Sequence, residues 1–152
     1  MTTDTITETI AIDFDGVIHT YEHGWTDGTI YGSLVPGALE ALTVLMREYA
    51  VFIHTTRDAR QVARWIEQRT GHGIECTTQM HPLLPSWWQW GKRFTFWNTR
   101  GVLLVTNRKL PAVAYIDDRA VHFTDWRKTM RELSGRGYNA PMQPYETKRD
   151  GQ

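Results

Sequence analysis

Thr9-Ile10-Ala11-Ile12-Asp13-Phe14-Asp15-Gly16-Val17-Ile18 decides how the whole chain reads. A short apolar run carries two carboxylates one residue apart, and a glycine follows at once. The run reads as a buried strand, with Asp13 and Asp15 where it leaves the sheet. Side chains alternate along a strand, so residues i and i+2 are expected on one face. Two like charges held together at a strand end are costly unless a cation or a proton relieves them. A core strand has no structural need for such a pair. It therefore reads as a site, and other residues must complete it.

At 152 residues the chain is long enough for one domain with a real core. Hydrophobic residues make up 41% and charged residues 22%, as in a soluble globular protein. The 17 basic and 17 acidic side chains cancel, so no global field advertises nucleic-acid binding, although a local basic patch stays open. Cys76 is the single cysteine, which excludes a disulfide framework and argues against a thiolate zinc cage. No apolar run approaches the roughly 18–20 residues of a membrane span. Met1-Thr2-Thr3-Asp4 lacks the basic and apolar regions of a signal peptide. A cytosolic protein without a membrane partner is expected.

In chain order, residues 1–7 are polar and expected to fray. Residues 19–35 show no period and read as a loop or short flap over a site. His19 and His23 have a ligand-like spacing, but no helical signal surrounds them, so they read as loop surface. A helix should open at Pro36 and bury Ala38, Leu39, Leu42, Leu45, Met46 and Tyr49. Ala50 to His54 is a second buried strand, ending in Thr55-Thr56-Arg57. Asp58 suits an N-cap with Gln61 at the capping-box position. Ala59, Val62, Ala63 and Ile66, with Trp65, form the next buried face, ended by Gly71 or Gly73. Residues 74–77 read as a short strand.

Residues 78–101 hold Pro82, Pro85, Trp87, Trp88, Trp90, Phe94, Phe96 and Trp97. Two readings are open: an insert packing its aromatics into the core, or a lid offering stacking surfaces to a nucleobase or other flat substrate. Residues 102–106 and 112–116 are strand-like, the latter ending in Asp117-Asp118-Arg119. An amphipathic helix is expected from about 124 to 133, closed by Gly135. The expected organisation is one domain over residues 1–135, with a small insert at 78–101, and an extended tail over 136–152.

Strands alternating with helices predict an α/β domain with a mainly parallel sheet, whose ligand site lies outside the carboxyl ends of the strands. Asp13, Asp15, Thr55, Arg57, Asp117 and Asp118 all fall at such ends, and Lys109 lies in the connection before the last strand. Four carboxylates converging on one point need a cation, and hard oxygen donors favour Mg²⁺. A carboxylate-bound Mg²⁺ with a lysine and a hydroxyl opposite is a phosphate-binding device. One aspartate can attack phosphorus to give an aspartyl-phosphate. The other can protonate the leaving group and then deprotonate water.

Asp13-Phe14-Asp15-Gly16-Val17 resembles the first motif, DxDx[TV], of the haloacid dehalogenase (HAD) superfamily of phosphohydrolases. The apolar strand ending in Thr55 is similar to the second motif, Lys109 to the third, and Ile116-Asp117-Asp118 to the DD form of the fourth. The resemblance implies a Rossmannoid three-layer α/β sandwich with a minimal cap. It implies Asp13 as nucleophile and metal ligand, and Asp15 as general acid/base with its backbone carbonyl on the metal. Thr55 and Lys109 would bind the phosphoryl group, and Asp117 and Asp118 would complete the Mg²⁺ site. Thr55-Thr56-Arg57 and Asp117-Asp118-Arg119 also resemble segments of the phosphatase domain of phage-type polynucleotide kinase/3′-phosphatases. That likeness implies that Arg57 contacts a nucleotide phosphate; the expected substrate-binding set is Thr55, Thr56, Arg57 and Gly16, and Arg57, Arg119 and the tryptophan cluster point to a nucleotide or nucleic-acid end as substrate. For Arg57, a salt bridge to a site carboxylate is an equal alternative.

A response-regulator receiver also uses acids, a Thr and a Lys, but its adjacent acidic pair comes first. Here Asp-x-Asp comes first and Asp-Asp last. The expected activity is Mg²⁺-dependent phosphomonoester hydrolysis of a phosphorylated small molecule or nucleotide. A non-catalytic phospholigand- or protein-binding domain, and phosphotransfer to an acceptor other than water, remain as alternatives.

Overall fold

The computed structural model describes residues 7–81 and 96–138. The expectations of a frayed start, of most of the 78–101 insert and of the far tail fall on residues 1–6, 82–95 and 139–152, outside the described residues. The chain divides into two compact units, Met1–Asp118 and Arg119–Gln152. The sequence pattern places this boundary later, after 135.

The first unit is a mixed α/β fold built on a five-stranded, all-parallel sheet flanked by helices, consistent with a Rossmann-like three-layer fold. Its elements are β1 (Thr9–Asp13), α1 (Ala38–Glu48), β2 (Ala50–His54), α2 (Ala59–Arg69), β3 (Cys76–Thr77), β4 (Leu103–Thr106) and β5 (Ala114–Ile116). The strand order is β3-β4-β2-β1-β5. In register, Ile12 of β1 faces Ile53 of β2 on one side and Ile116 of β5 on the other.

The apolar runs of β1, β2 and β4 form strands because both their faces are covered, whereas β5 is exposed. Ile10, Ile12, Val51, Ile53, Leu103 and Val105 pack under α1 and α2, meeting Ala38, Leu42 and Met46 and then Val62, Ala63, Trp65 and Ile66. The alternate residues Ala11, Ala50, Phe52 and Leu104 pack on the other face against Trp97 and Leu110. Phe52 is fully buried, so truncating it to alanine would cost about 3–5 kcal/mol. Trp97 thus follows the core reading of the aromatic segment, whereas Phe96 beside it is exposed.

The caps follow local chemistry. Asp58 accepts the Gln61 N–H at 2.8 Å and starts α2. Gly37, at φ 84, precedes α1. In the second unit, α3 (Trp126–Gly135) starts at Asp125, whose carboxylate accepts the Lys128 N–H at 2.9 Å. The helix runs through Gly135, the expected stop, and it is Gly137 at φ 86 that takes the left-handed position. None of its residues is buried within the chain as described. Among the described residues no helix is long and apolar enough to cross a membrane.

Candidate functional site

β1 connects through α1 to β2 on one side, while β5 pairs on its other side after the chain has crossed back from β4. The crevice between β1 and β5 is therefore the topological switch point of the sheet, where ligands of open α/β folds bind. Asp13 is the last residue of β1, and Asp117 and Asp118 follow the last residue of β5. One carboxylate oxygen from each of the three lies within 4.8 Å of the others.

Burial pushes the Asp13 carboxyl up to about 6, and the charges of Asp117, Asp118 and Asp15 add to the rise against the pull of a hydrogen bond from the Phe14 N–H. That bond is 2.8 Å long. Carboxylates at this spacing suit a hard divalent cation, and an all-oxygen donor set favours Mg²⁺ or Ca²⁺ over softer metals.

Asp15 is not part of this trio. The strand ends at Asp13, so the two-residue alternation no longer governs Asp15. The chain instead makes a tight turn in which Phe14 C=O accepts the N–H groups of Ile18 and His19, at 3.0 and 2.9 Å. This turn swings the Asp15 carboxylate onto Arg57, whose Nε lies 3.0 and 2.9 Å from its two oxygens. His19 Nδ1 donates to Asp15 Oδ1 at 2.9 Å. Because His19 Nε2 accepts the Gly32 N–H at 2.8 Å, the ring proton sits on Nδ1.

His19 corrects the loop-surface expectation: it is fully buried. Phe14 stacks on it at 5.3 Å, and Tyr31 and Trp65 meet it edge-on at 5.2 and 5.5 Å. His23 is exposed, as expected. Residues 19–35 do form a flap. Its base is closed by Thr20 N–H to Ser33 O and Val35 N–H to Ile18 O, both at 2.9 Å.

Thr55 is buried just beyond β2, and its Oγ1 accepts the Arg57 N–H at 3.1 Å, which leaves the hydroxyl proton to be donated. Thr56 is exposed. Arg57 is buried, with Nη1 donating to Gly28 O at 2.7 Å, so the structure gives it the carboxylate partner rather than an open guanidinium. Gly16 has φ 84 and lies against the Asp118 carboxylate. Lys109 sits with its ammonium 5.2 Å from the centre of the Tyr115 ring. Tyr115 pairs with Ala11, so by alternation it shares a face with Asp13, one pleat further back.

Asn107 and His54 carry no signal in the sequence that marks them as part of the site. The Asn107 Nδ2 donates to Thr55 O and Arg57 O, at 2.6 and 2.7 Å, and ties the β2–α2 turn to the end of β4. An asparagine just after a strand is too common to signal this. His54 is the in-register β2 neighbour of Asp13.

Among the described residues, cavities also lie away from this crevice. One of about 350 Å³ is lined by Thr9, Phe96 and Val113 at the opposite end of the sheet. Another of about 390 Å³ lies beside α2, with Arg60, Arg64, Glu67 and Cys76 on its wall. Burial and the charges of Glu67 and Glu75 push the Cys76 thiol up to about 12, so it is no thiolate nucleophile.

Compared with known proteins, the chain matches no family model and no curated protein. It is similar to the solved structure of a conserved protein coded by a locus from Bacteroides thetaiotaomicron, with 25% identity, a TM-score of 0.49, and coverage of 86% of this chain and 92% of that one.

Proposed function

We propose that this chain is a Mg²⁺-dependent phosphomonoester hydrolase of the haloacid dehalogenase type, acting through an aspartyl-phosphate on Asp13. The observation that carries the reading is the separation of the carboxylates into two environments. Asp13, Asp117 and Asp118 crowd together, and the like charges oppose ionisation of Asp13. Asp15 is paired with Arg57 and oriented by His19. The crowded trio suits a divalent cation, while Asp15 has a cation from the chain itself.

Asp13, Asp117 and Asp118 would hold the Mg²⁺, which when bound would neutralise phosphoryl oxygens. An Asp13 oxygen forms a bond to phosphorus as the bond to the leaving oxygen breaks, and protonated Asp15 supplies that oxygen's proton. Water then attacks phosphorus, its proton passes to Asp15, and Asp13 and inorganic phosphate are released. Lys109, on the Asp13 face, would swing from Tyr115 to the phosphoryl oxygens, and the Thr55 hydroxyl would donate to one of them. The substrate class under this reading is a phosphorylated small molecule, a nucleotide or a nucleic-acid end. A cytosolic setting belongs to the same proposal and rests on the single cysteine.

The test is release of phosphate from a panel of monoesters with and without Mg²⁺, for the wild type and Asp13→Asn. Mg²⁺-dependent turnover that disappears in the variant is expected. No turnover above the variant on any ester would end the enzyme reading, and Mg²⁺-dependent ligand binding without turnover would favour a binding domain. Phosphoryl transfer to an added alcohol in preference to water would instead identify a phosphotransferase.

A further inference from the structure

The flap carries an aromatic side chain that the fold does not account for. Trp25 is 57% exposed, yet it is held in place. The Arg57 guanidinium carbon lies 4.7 Å from the centre of its ring, and 5.8 Å from that of Tyr21. The backbone of Gly28 backs the same indole, since a Cβ there would lie 3.7 and 3.8 Å from Cζ2 and Cη2. The Gly28 carbonyl accepts from Arg57 at 2.7 Å. One side of the indole is thus backed by a buried cation that is itself fixed to Asp15 at 2.9 Å.

These contacts also place the indole. The 2.9 Å from Asp15 to Nε, one C–N bond of about 1.3 Å and the 4.7 Å to the ring put its centre within about 9 Å of the Asp15 carboxylate. A single pentose bridges that gap between a phosphoryl group and a base. A rigid, cation-backed indole with an exposed surface is a stacking platform, and stacking tolerates any planar base.

We infer that Trp25 selects leaving groups bearing a planar aromatic ring, of which a nucleobase is the biological form, by stacking on it beside Asp15. The inference rests on the phosphatase reading for its chemistry and on the flap geometry for its ligand. A free mononucleotide and the phosphorylated end of a strand both present such a base.

The experiment compares wild type, Trp25→Ala and Trp25→Phe on adenosine 5′-monophosphate, a 3′-phosphorylated dinucleotide and ribose 5-phosphate. The readout is the ratio of kcat/KM on each base-bearing ester to that on ribose 5-phosphate, so a loss common to all substrates cancels. In Trp25→Ala this ratio should fall about tenfold or more, mainly through KM, and Trp25→Phe should keep most of it. The arm with the larger effect separates a free nucleotide from a strand end. Equal losses on all three esters, or a wild type with no preference for a base, would overturn the inference.

Calorimetric binding of adenosine 5′-monophosphate and ribose 5-phosphate to Asp13→Asn, with and without Trp25→Ala, needs no turnover. A base-dependent affinity that vanishes with Trp25 supports the platform even if no ester is hydrolysed, in which case only the phosphatase reading fails. Equal binding of the two ligands, or binding unchanged by Trp25→Ala, refutes the platform.

Discussion

The α-carbon of Gly16 rests on the carboxylate of Asp118: a Cβ at position 16 would stand 2.3 Å from Asp118 Oδ2 and 2.7 Å from its Cγ. Gly16 also has φ 84, in the left-handed region. A glycine inside the turn after the first strand thus sets where a carboxylate just beyond the last strand can lie.

Gly16→Ala should therefore act twice. Backbone strain should lower stability by about 1–2 kcal/mol in urea titration. Displacement of Asp118 should weaken Mg²⁺ binding beyond that, seen as a smaller Mg²⁺-induced rise in Tm. A variant with wild-type stability and an unchanged Mg²⁺ response would show that this contact constrains nothing.

Asp13 makes stability depend on pH in a definite direction. Its carboxyl titrates at about 6 in the folded chain against an ordinary 3.8. A raised value means the folded state takes up the proton first. The stability this contributes is fully present below about pH 4 and is lost as pH rises through about 6. Metal-free wild type should lose more stability than Asp13→Asn between about pH 4 and pH 6. Added Mg²⁺ should reverse that loss, with affinity growing over the same interval. Superimposable pH profiles for the two proteins would contradict a carboxyl raised by burial and like charge at position 13.

His19 is fully buried, and both of its ring nitrogens are used. His19→Phe keeps the ring packing but strands the Gly32 N–H and removes a donor from Asp15. A loss of about 2–3 kcal/mol in chemical denaturation is expected, mostly from unpaired buried groups. Gly32→Ala should damage the same joint, because its Cβ would lie 2.7 Å from His19 Nε2 and 2.4 Å from Thr20 O. Loss below about 0.5 kcal/mol in both variants would make the joint dispensable.

Lys109 separates function from stability. Its ammonium is exposed and rests on Tyr115, a contact of about 0.5–1 kcal/mol. Lys109→Met should change Tm little while reducing Mg²⁺-dependent phosphate release by two orders of magnitude or more, about 3 kcal/mol in the barrier. Retained turnover would remove Lys109 from the site.

Much of this molecule was local and hence legible. Ala50 to His54 forms a strand with the expected bounds, because a five-residue apolar run between a helix end and Thr55 has few other uses. Asp58 caps α2 because its carboxylate reaches an N–H three residues on. Asp13, Asp117 and Asp118 could be placed at strand ends from hydrophobic pattern alone. The second unit shows the limit of such signals: Gly135 was the expected stop of α3, but a helix tolerates a single glycine, and Gly137 makes the turn.

The one-dimensional pattern could not say which strands are neighbours. β1 pairs with β5 across most of the chain, and only that pairing brings Asp13 to Asp117 and Asp118. Nor could it separate the two aspartates of the first motif. Alternation predicts a shared face while the strand lasts, and the strand ends between them. The turn after Asp13 hands Asp15 to His19, four residues on in the same turn, and to Arg57, which lies on another segment. Residue types and strand ends are properties of the sequence; partners and burial are decided by which faces pack, because charge compensation and desolvation depend on groups far apart in the chain.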